Sequence, residues 1–410
     1  MTLLERFFRL EDHRTTLTTE LRAGVTSFMA MGYIIFTNAA ILAAAKVPFS
    51  GAVVATCAAA GLITCLMGLA TNYPICLAAG MGINAVVAFT IVLGMGCTWQ
   101  VAMGVIVVEG LVVLVLSATA FRQAIMEAIP DSLKQAIAVG IGLFITFIGM
   151  EQGGLIAAHP ATLVTIGDLT HPVAALSCLG LIVTGALVVL RVRGAFLLGI
   201  IVTAIFGMLP IWHLPAGVGT PTEVAAGLAA QARWSALIPA PTKLIEFPND
   251  WSTFFAFDLK GALALKLLPV IFALFMTDFF DTMGTAIALG ARAGFLDDKG
   301  HIPKIRSLLI VDSLGAVVGG ACGCSSNTCY IESSAGIAEG GRTGLTSVVC
   351  GILFLLAMFL TPLIAVVGGG VEVAPQTVRH PVTAAALIVV GFLMMESALE
   401  IEWRDLSEAL

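Results

Sequence analysis

Charge is what this chain has least of. Only 11% of its 410 residues are Asp, Glu, Lys or Arg and 59% are hydrophobic, against about 25% charged in soluble domains. That scarcity excludes a soluble globular domain and leaves a polytopic membrane protein. A cleavable signal is also missing. Met1 to Leu21 carries Glu5, Arg6, Arg9, Glu11, Asp12, Arg14 and Glu20 ahead of the first apolar run, so the first span must serve as its own insertion signal. The nine cysteines form no framework: they are scattered, and Cys57, Cys65, Cys76, Cys178 and Cys350 fall in apolar stretches. Histidine is absent from the interior of the spans, because His13, His159, His171, His213, His301 and His380 lie outside them or at their ends. No histidine therefore competes with the acids as a proton carrier. The net charge of -6 comes largely from acids within or beside the spans, so it does not speak for a nucleic-acid partner, and none is expected.

What is present is a series of apolar runs of about 20 residues, enough to cross a bilayer. Seven fall near 22-45, 51-71, 76-95, 100-120, 134-151, 173-192 and 195-212, and five more near 263-290, 305-322, 325-340, 344-368 and 381-399. Between the series, residues 213-262 hold Trp234, Pro239, Pro241, Pro248 and Trp251 and read as an extracytoplasmic or interfacial connector. With residues 1-21 cytoplasmic, the inner side collects Arg6, Arg9, Arg14, Arg22, Arg122, Lys134, Arg191, Arg193, Arg292, Lys299, Lys304, Arg306, Arg342 and Arg404. Lys46, Arg233, Lys243, Lys260, Lys266 and Arg379 remain outside. Seven spans before the connector is an odd number, so the second series runs with inverted topology. Inverted repeats place their binding site near the midplane, where interrupted segments occur at matching positions.

Two segments match that description. The third segment of the first series opens with Asn72-Tyr73-Pro74 and continues through Ala79-Gly80-Met81-Gly82-Ile83-Asn84. Its counterpart opens with Cys324-Ser325-Ser326-Asn327-Thr328-Cys329-Tyr330-Ile331-Glu332-Ser333. An acid at bilayer depth costs roughly 2.5 to 3.5 kcal/mol on insertion scales, so Glu332 reads as functional by default. Asp278 and Asp281, three residues apart near Thr282 and Thr285, read as sharing one helix face. Desolvation favours the protonated form of a carboxyl, which suits either acid to carrying a proton.

Across essentially its whole length the chain resembles the nucleobase:cation symporters, in particular their AzgA-like purine permease branch. The resemblance rests on Leu21-Arg22-Ala23-Gly24-Val25-Thr26-Ser27-Phe28, Tyr33-Ile34-Ile35-Phe36-Thr37-Asn38, Ala79-Gly80-Met81-Gly82-Ile83-Asn84-Ala85 and Thr277-Asp278-Phe279-Phe280-Asp281-Thr282-Met283-Gly284-Thr285. The run from Tyr330 through Glu332 to Gly344 completes it. The resemblance implies an all-α polytopic fold of seven plus seven inverted helices. Core helices 1-4 would lie in 22-120 and 8-11 in 263-368, with gate helices 5-7 in 134-212 and helix 12 in 381-399. The base would bind between core and gate, against the third and tenth helices. It implies proton-coupled import of adenine, guanine or hypoxanthine across the bacterial inner membrane, with sodium the lesser option, no cofactor and a homodimer allowed. Substrate contacts carry over to Asn84, Asp278, Tyr330, Ile331 and Glu332, and proton coupling or support to Asp278, Asp281, Asp312 and Glu332. Measured against the family, residues 400-410 look like a truncated end and two gate helices are missing. The expectation is therefore a recognisable core with poor transport.

Plainer readings stand beside these. Asp278 and Asp281 could brace the eighth helix, Asp312 could be scaffold, and Asn84 alone in a span is commonly packing glue. Glu339 reads as paired with Arg342 at the inner mouth, Glu396 as interfacial, and Glu109 has no nameable partner. Cys322, Cys324 and Cys329 could suggest a metal, but no His lies near them. Two other classes are weaker. An intramembrane aspartyl protease could use Asp278 and Asp312 but would show a Gly-x-Gly-Asp element. An anion transporter or channel of the same fold would not place Glu332 at its half-helix.

Overall fold

The computed structural model describes residues 3–118, 131–215, 218, 233–241, 243–297, 302–374 and 377–400. Arg122, Lys299, His301, Arg404, the stretch 401–410 and most of 216–232 in the connector lie outside the described residues. Among the described residues, seven helical segments are long and apolar enough to span a bilayer, and four shorter apolar helices accompany them. In chain order the helices are α1 (Leu3–Phe8), α2 (Leu17–Met31), α3 (Ile34–Ala44), α4 (Phe49–Thr71), α5 (Met81–Ala85, continued as a π-helix over Val86–Gly94), α6 (Trp99–Ala118), α7 (Asp131–Gln152), α8 (Pro172–Val189) and α9 (Ala195–Met208). They continue with α10 (Leu268–Ala293), α11 (Ile305–Cys322), α12 (Ser333–Ala338), α13 (Gly344–Ala357), α14 (Thr361–Gly368) and α15 (Pro381–Met394).

The chain divides into two compact units. The first comprises Met1–Lys134 with Phe247–Phe359, and the second Gln135–Glu246 with Leu360–Leu410. The connector is shared between them. Its residues from 247 onward belong to the first unit: Phe255 N–H donates to Ala321 O at 2.6 Å, and Asp258 N–H to Gln100 O at 2.9 Å. In the second unit, α8 packs on α9 and α15, and Trp212–Leu214 pairs antiparallel with Arg233–Ser235.

Helix boundaries in the first unit follow local chemistry. The Thr16 side chain accepts from Thr19 N and starts α2. Asn72 ends α4 in the left-handed conformation, and Gly294 does the same for α10. The Asn72 side chain then serves two neighbours, donating to Phe8 O at 3.0 Å and accepting from Gly344 N–H at 2.9 Å. Glu20, fully buried, accepts from the backbone N–H of Arg342 and Thr343 and from Thr346 Oγ1 at 2.6 Å. A carboxylate thus heads α13, where its charge opposes the positive end of the helix dipole. Glu339 does not pair with Arg342 as its spacing suggests. It bonds Arg22 at 2.6 Å, while the Arg342 guanidinium donates to Ile337 O and Gly341 O, carbonyls at and just past the end of α12.

Two interrupted segments cross in the middle of this unit. Leu77–Ala79 (β1) pairs antiparallel with Asn327–Cys329 (β6, after β2 Ile156–His159, β3 Leu163–Ile166, β4 Trp212–Leu214 and β5 Arg233–Ser235), in the register Leu77↔Cys329, Ala78↔Thr328 and Ala79↔Asn327. Gly80 N–H to Ser326 O at 2.8 Å and Tyr330 N–H to Cys76 O at 3.0 Å extend the pairing. All six paired residues are buried. Extended backbone away from water must find partners within the protein, which is why two short strands appear in an otherwise helical membrane protein. The α5 and α12 half-helices leave this crossing at their N-terminal ends.

Gly319 on α11 is what lets β6 lie so close. A Cβ there would stand 2.0 Å from Ser325 O, a backbone atom. Gly319→Ala is expected to lower stability by about 1 to 3 kcal/mol through overpacking and to weaken substrate binding with it. Gly284→Ala, whose Cβ meets nothing within 4 Å, should leave both unchanged; thermal unfolding of the purified variants, read beside binding, checks the pair.

Candidate functional site

The site is built around the crossing. Glu332 stands three residues past the end of β6, at the position preceding α12, and is half-buried. Its Oε1 accepts from Tyr33 Oη at 2.7 Å. Tyr33 is fully buried and occupies the break between α2 and α3, so an interruption in the first span orients the acid. Ile331 beside it is 48% exposed, and Asp281 is exposed on α10 within Coulomb range of Glu332. Together Ile331, Glu332 and Asp281 mark the accessible side of the crossing.

Tyr330 points the other way. It is buried, and its hydroxyl donates to Ala79 O at 2.7 Å, bracing one broken segment against the other. The Cys76 N–H donates to Ser333 Oγ at 2.9 Å. Leu77 N–H donates to Thr64 Oγ1, whose hydroxyl donates back to Leu77 O. The backbone of β1 is thus tied to α4 on one side and to the start of α12 on the other.

Asp278 is fully buried; its Oδ2 accepts from Ser326 Oγ at 3.4 Å, while Oδ1 has no hydrogen-bond donor. Asp312 accepts Thr282 Oγ1 at 2.8 Å and Cys329 N–H at 2.9 Å, one on each oxygen, so it fastens β6 to α10. Asp278 and Asp281 do not share a face. The buried stripe of α10 runs through Leu274, Phe275, Asp278, Phe279, Thr282, Met283 and Ala286, and 300° of rotation at 100° per residue carries Asp281 off its edge.

Asn84 is fully buried and donates to Asn38 Oδ1 at 2.5 Å; Asn38 in turn donates to Thr56 Oγ1 at 2.8 Å and to Cys324 O at 3.1 Å. This amide relay knits α3, α4, α5 and the approach to β6 together, and Asn84 Oδ1 remains without a donor. Sequence reasoning missed Asn38 and missed Tyr33 as the partner of Glu332, although both stand in the Tyr33–Asn38 run. All nine cysteines are free thiols, and among the described residues no three metal-ligating side chains gather.

The chemistry on offer is that of a polar, partly apolar-walled recognition site. A half-exposed carboxylate with a fixed hydroxyl partner can accept from ring N–H groups, while the first N–H groups of α12 are already held by the Tyr330, Ile331 and Glu332 carbonyls.

Comparison with known proteins gives the family and the fold. Residues 18–409 match the profile of the Permease family, of the nucleobase/urate type. The chain is 41% identical over 411 residues to a putative permease of Methanocaldococcus jannaschii, covering 100% of this chain and 86% of that one. It is 39% identical over 408 residues to the adenine permease AdeP of Escherichia coli, covering 100% and 84%. It is 36% identical over 415 residues to the guanine/hypoxanthine permease PbuO of Bacillus subtilis, covering 98% and 86%. In structure it resembles the transmembrane domain of the cyanobacterial bicarbonate transporter BicA, with a TM-score of 0.64 at 14% identity, covering 96% of this chain and 92% of that one. That likeness is one of fold, the seven-plus-seven inverted repeat. These relatives are permeases rather than enzymes, which sets the protease reading aside. The chain belongs to the nucleobase permease family and is a multi-pass membrane protein.

Proposed function

We propose that this protein is a secondary active transporter that imports purine nucleobases, with adenine, guanine and hypoxanthine as the substrate class and a proton as the coupling ion. The observation that carries the reading is Glu332, held by Tyr33 at the accessible side of the crossed half-helices, in a chain 36% to 39% identical to an adenine and a guanine/hypoxanthine permease. The Glu332 carboxylate faces the purine ring N–H groups and accepts from them, and Asp278 and Asp281 manage charge around the bound base. Each bond to the charged acid contributes about 1.5 to 3 kcal/mol net. Because Asp278 and Asp312 are buried carboxyls beside the crossing, coupling runs through carboxyl protonation. Asp278 takes the proton and Asp312 holds the strand against which it acts.

The bias of Lys and Arg toward one side supports a cytoplasmic N-terminus in a bacterial inner membrane. Competition for bound radiolabelled hypoxanthine on the purified protein tests the substrate class. Adenine and guanine are expected to displace the label at concentrations where chloride and sulfate have no effect. Displacement by either anion with none by purines would overturn the reading.

A further inference from the structure

Glu109 sits in the middle of α6 with 0% exposure, and neither of its carboxyl oxygens meets a donor. Helix α6 packs against both α10 and α11, and at the next residue the approach is close: a Cβ on Gly110 would stand 2.8 Å from Val317 N. The Glu109 carboxyl faces that of Asp278, within hydrogen-bonding reach. Asp278 is equally buried and its Oδ1 is equally without a donor.

The groups around the two come from every neighbouring element. Helix α10 supplies Asp278 and Asp281, α11 supplies Asp312, and the β6 segment supplies the Ser326 hydroxyl and the Cys329 thiol. Among the described residues no Lys, Arg or His stands against either Glu109 or Asp278. Two ionised carboxylates are acceptors only and cannot bond one another. With one proton between them, one acid donates to the other, Asp278 Oδ1 and one of the two Glu109 oxygens are satisfied, and a second negative charge in an apolar setting is avoided.

We propose that Glu109 and Asp278 form a proton-sharing carboxyl pair behind the crossing, with Glu109 as the second seat of the transported proton. The proton passes between Asp278 Oδ1 and a Glu109 oxygen: one O–H bond breaks, the other forms, and the negative charge moves the opposite way. Ser326, bonded to Asp278 and adjoining β6, links the pair to the segment that ends in Glu332. This inference rests on the proton-coupled reading above for its role in transport, and on geometry alone for the shared proton.

Two measurements separate those parts. Infrared difference spectra of the reconstituted protein across pH should show a protonated-carboxyl band. In Glu109→Gln that band is expected to disappear or to shift its midpoint by about one pH unit or more, and Glu109→Asp should restore it in displaced form. In proteoliposomes, Glu109→Gln should retain gradient-free purine exchange while losing roughly tenfold or more of its pH-driven accumulation. A merely structural role would lower exchange and accumulation together and leave the band in place. An unchanged band with wild-type accumulation in Glu109→Gln overturns the proposal. If Glu109→Gln does not fold, Glu109→Asp decides it, since an unmoved band and pH profile there would count against the pair. Should the wild type accumulate purine on a sodium gradient alone, the coupling-ion reading fails, and the infrared band still decides whether the pair holds a proton.

Discussion

Asp278→Asn protein should retain some purine binding and yet fail to concentrate purine when a pH gradient is imposed. The expectation follows from position. Asp278 is fully buried, meets the crossing through the Ser326 hydroxyl and keeps one oxygen without a donor, so its contribution is its ability to gain and lose a charge. An amide of the same shape preserves packing and the Ser326 contact but cannot change charge over the cycle. A driving ion shifts a conformational equilibrium only by what it binds differently in the two states, and in the variant that difference is gone. Accumulation should fall to the equilibrium level, measured as the ratio of internal to external label under the gradient. Undiminished accumulation would move the coupling role to Asp281 or Glu332.

Glu332→Gln should weaken purine binding by about 1.5 to 3 kcal/mol, or roughly 10- to 150-fold in Kd. The amide is a poorer acceptor, and its NH2 competes for the place of the purine N–H. It also disturbs the orientation set by Tyr33, whose hydroxyl loses a charged acceptor at 2.7 Å. Tyr33→Phe should reproduce a smaller part of the loss, because it frees the carboxylate to turn without removing its charge. Equilibrium binding to purified Glu332→Gln and Tyr33→Phe measures both effects. Unchanged affinity in Glu332→Gln would remove this acid from the site.

Much of the architecture was legible because bilayer physics is strict. Apolar runs must be helices, and the two runs opening with Pro74 and with Ser325–Asn327 could not begin as ordinary spans, so their interruption marked them as the place of the binding site. The strand pairing itself was not legible. Nothing in Leu77–Ala79 or Asn327–Cys329 signals a partner some 250 positions away, and the pairing exists only because buried backbone must be satisfied. The i,i+3 rule put Asp278 and Asp281 on one helix face, but the buried stripe of α10 takes in Asp278 and is too narrow to hold Asp281. Tyr33 escaped notice because an aromatic residue beside a glycine reads as packing until the break between α2 and α3 is seen. Glu109 lacked a partner in sequence because its partner stands on a helix from the other repeat, and single-sequence patterns are blind to such pairs.

The central claim is tested most directly in proteoliposomes holding the purified protein and supplied with labelled adenine, guanine or hypoxanthine. An inwardly directed proton gradient is imposed in one set and a sodium gradient in another, with a protonophore added as control. The account predicts accumulation of at least one of these purines above the external concentration under the proton gradient, abolished by the protonophore and absent with sodium alone. Equilibration without accumulation under the proton gradient, or accumulation driven by sodium and indifferent to the protonophore, would contradict it.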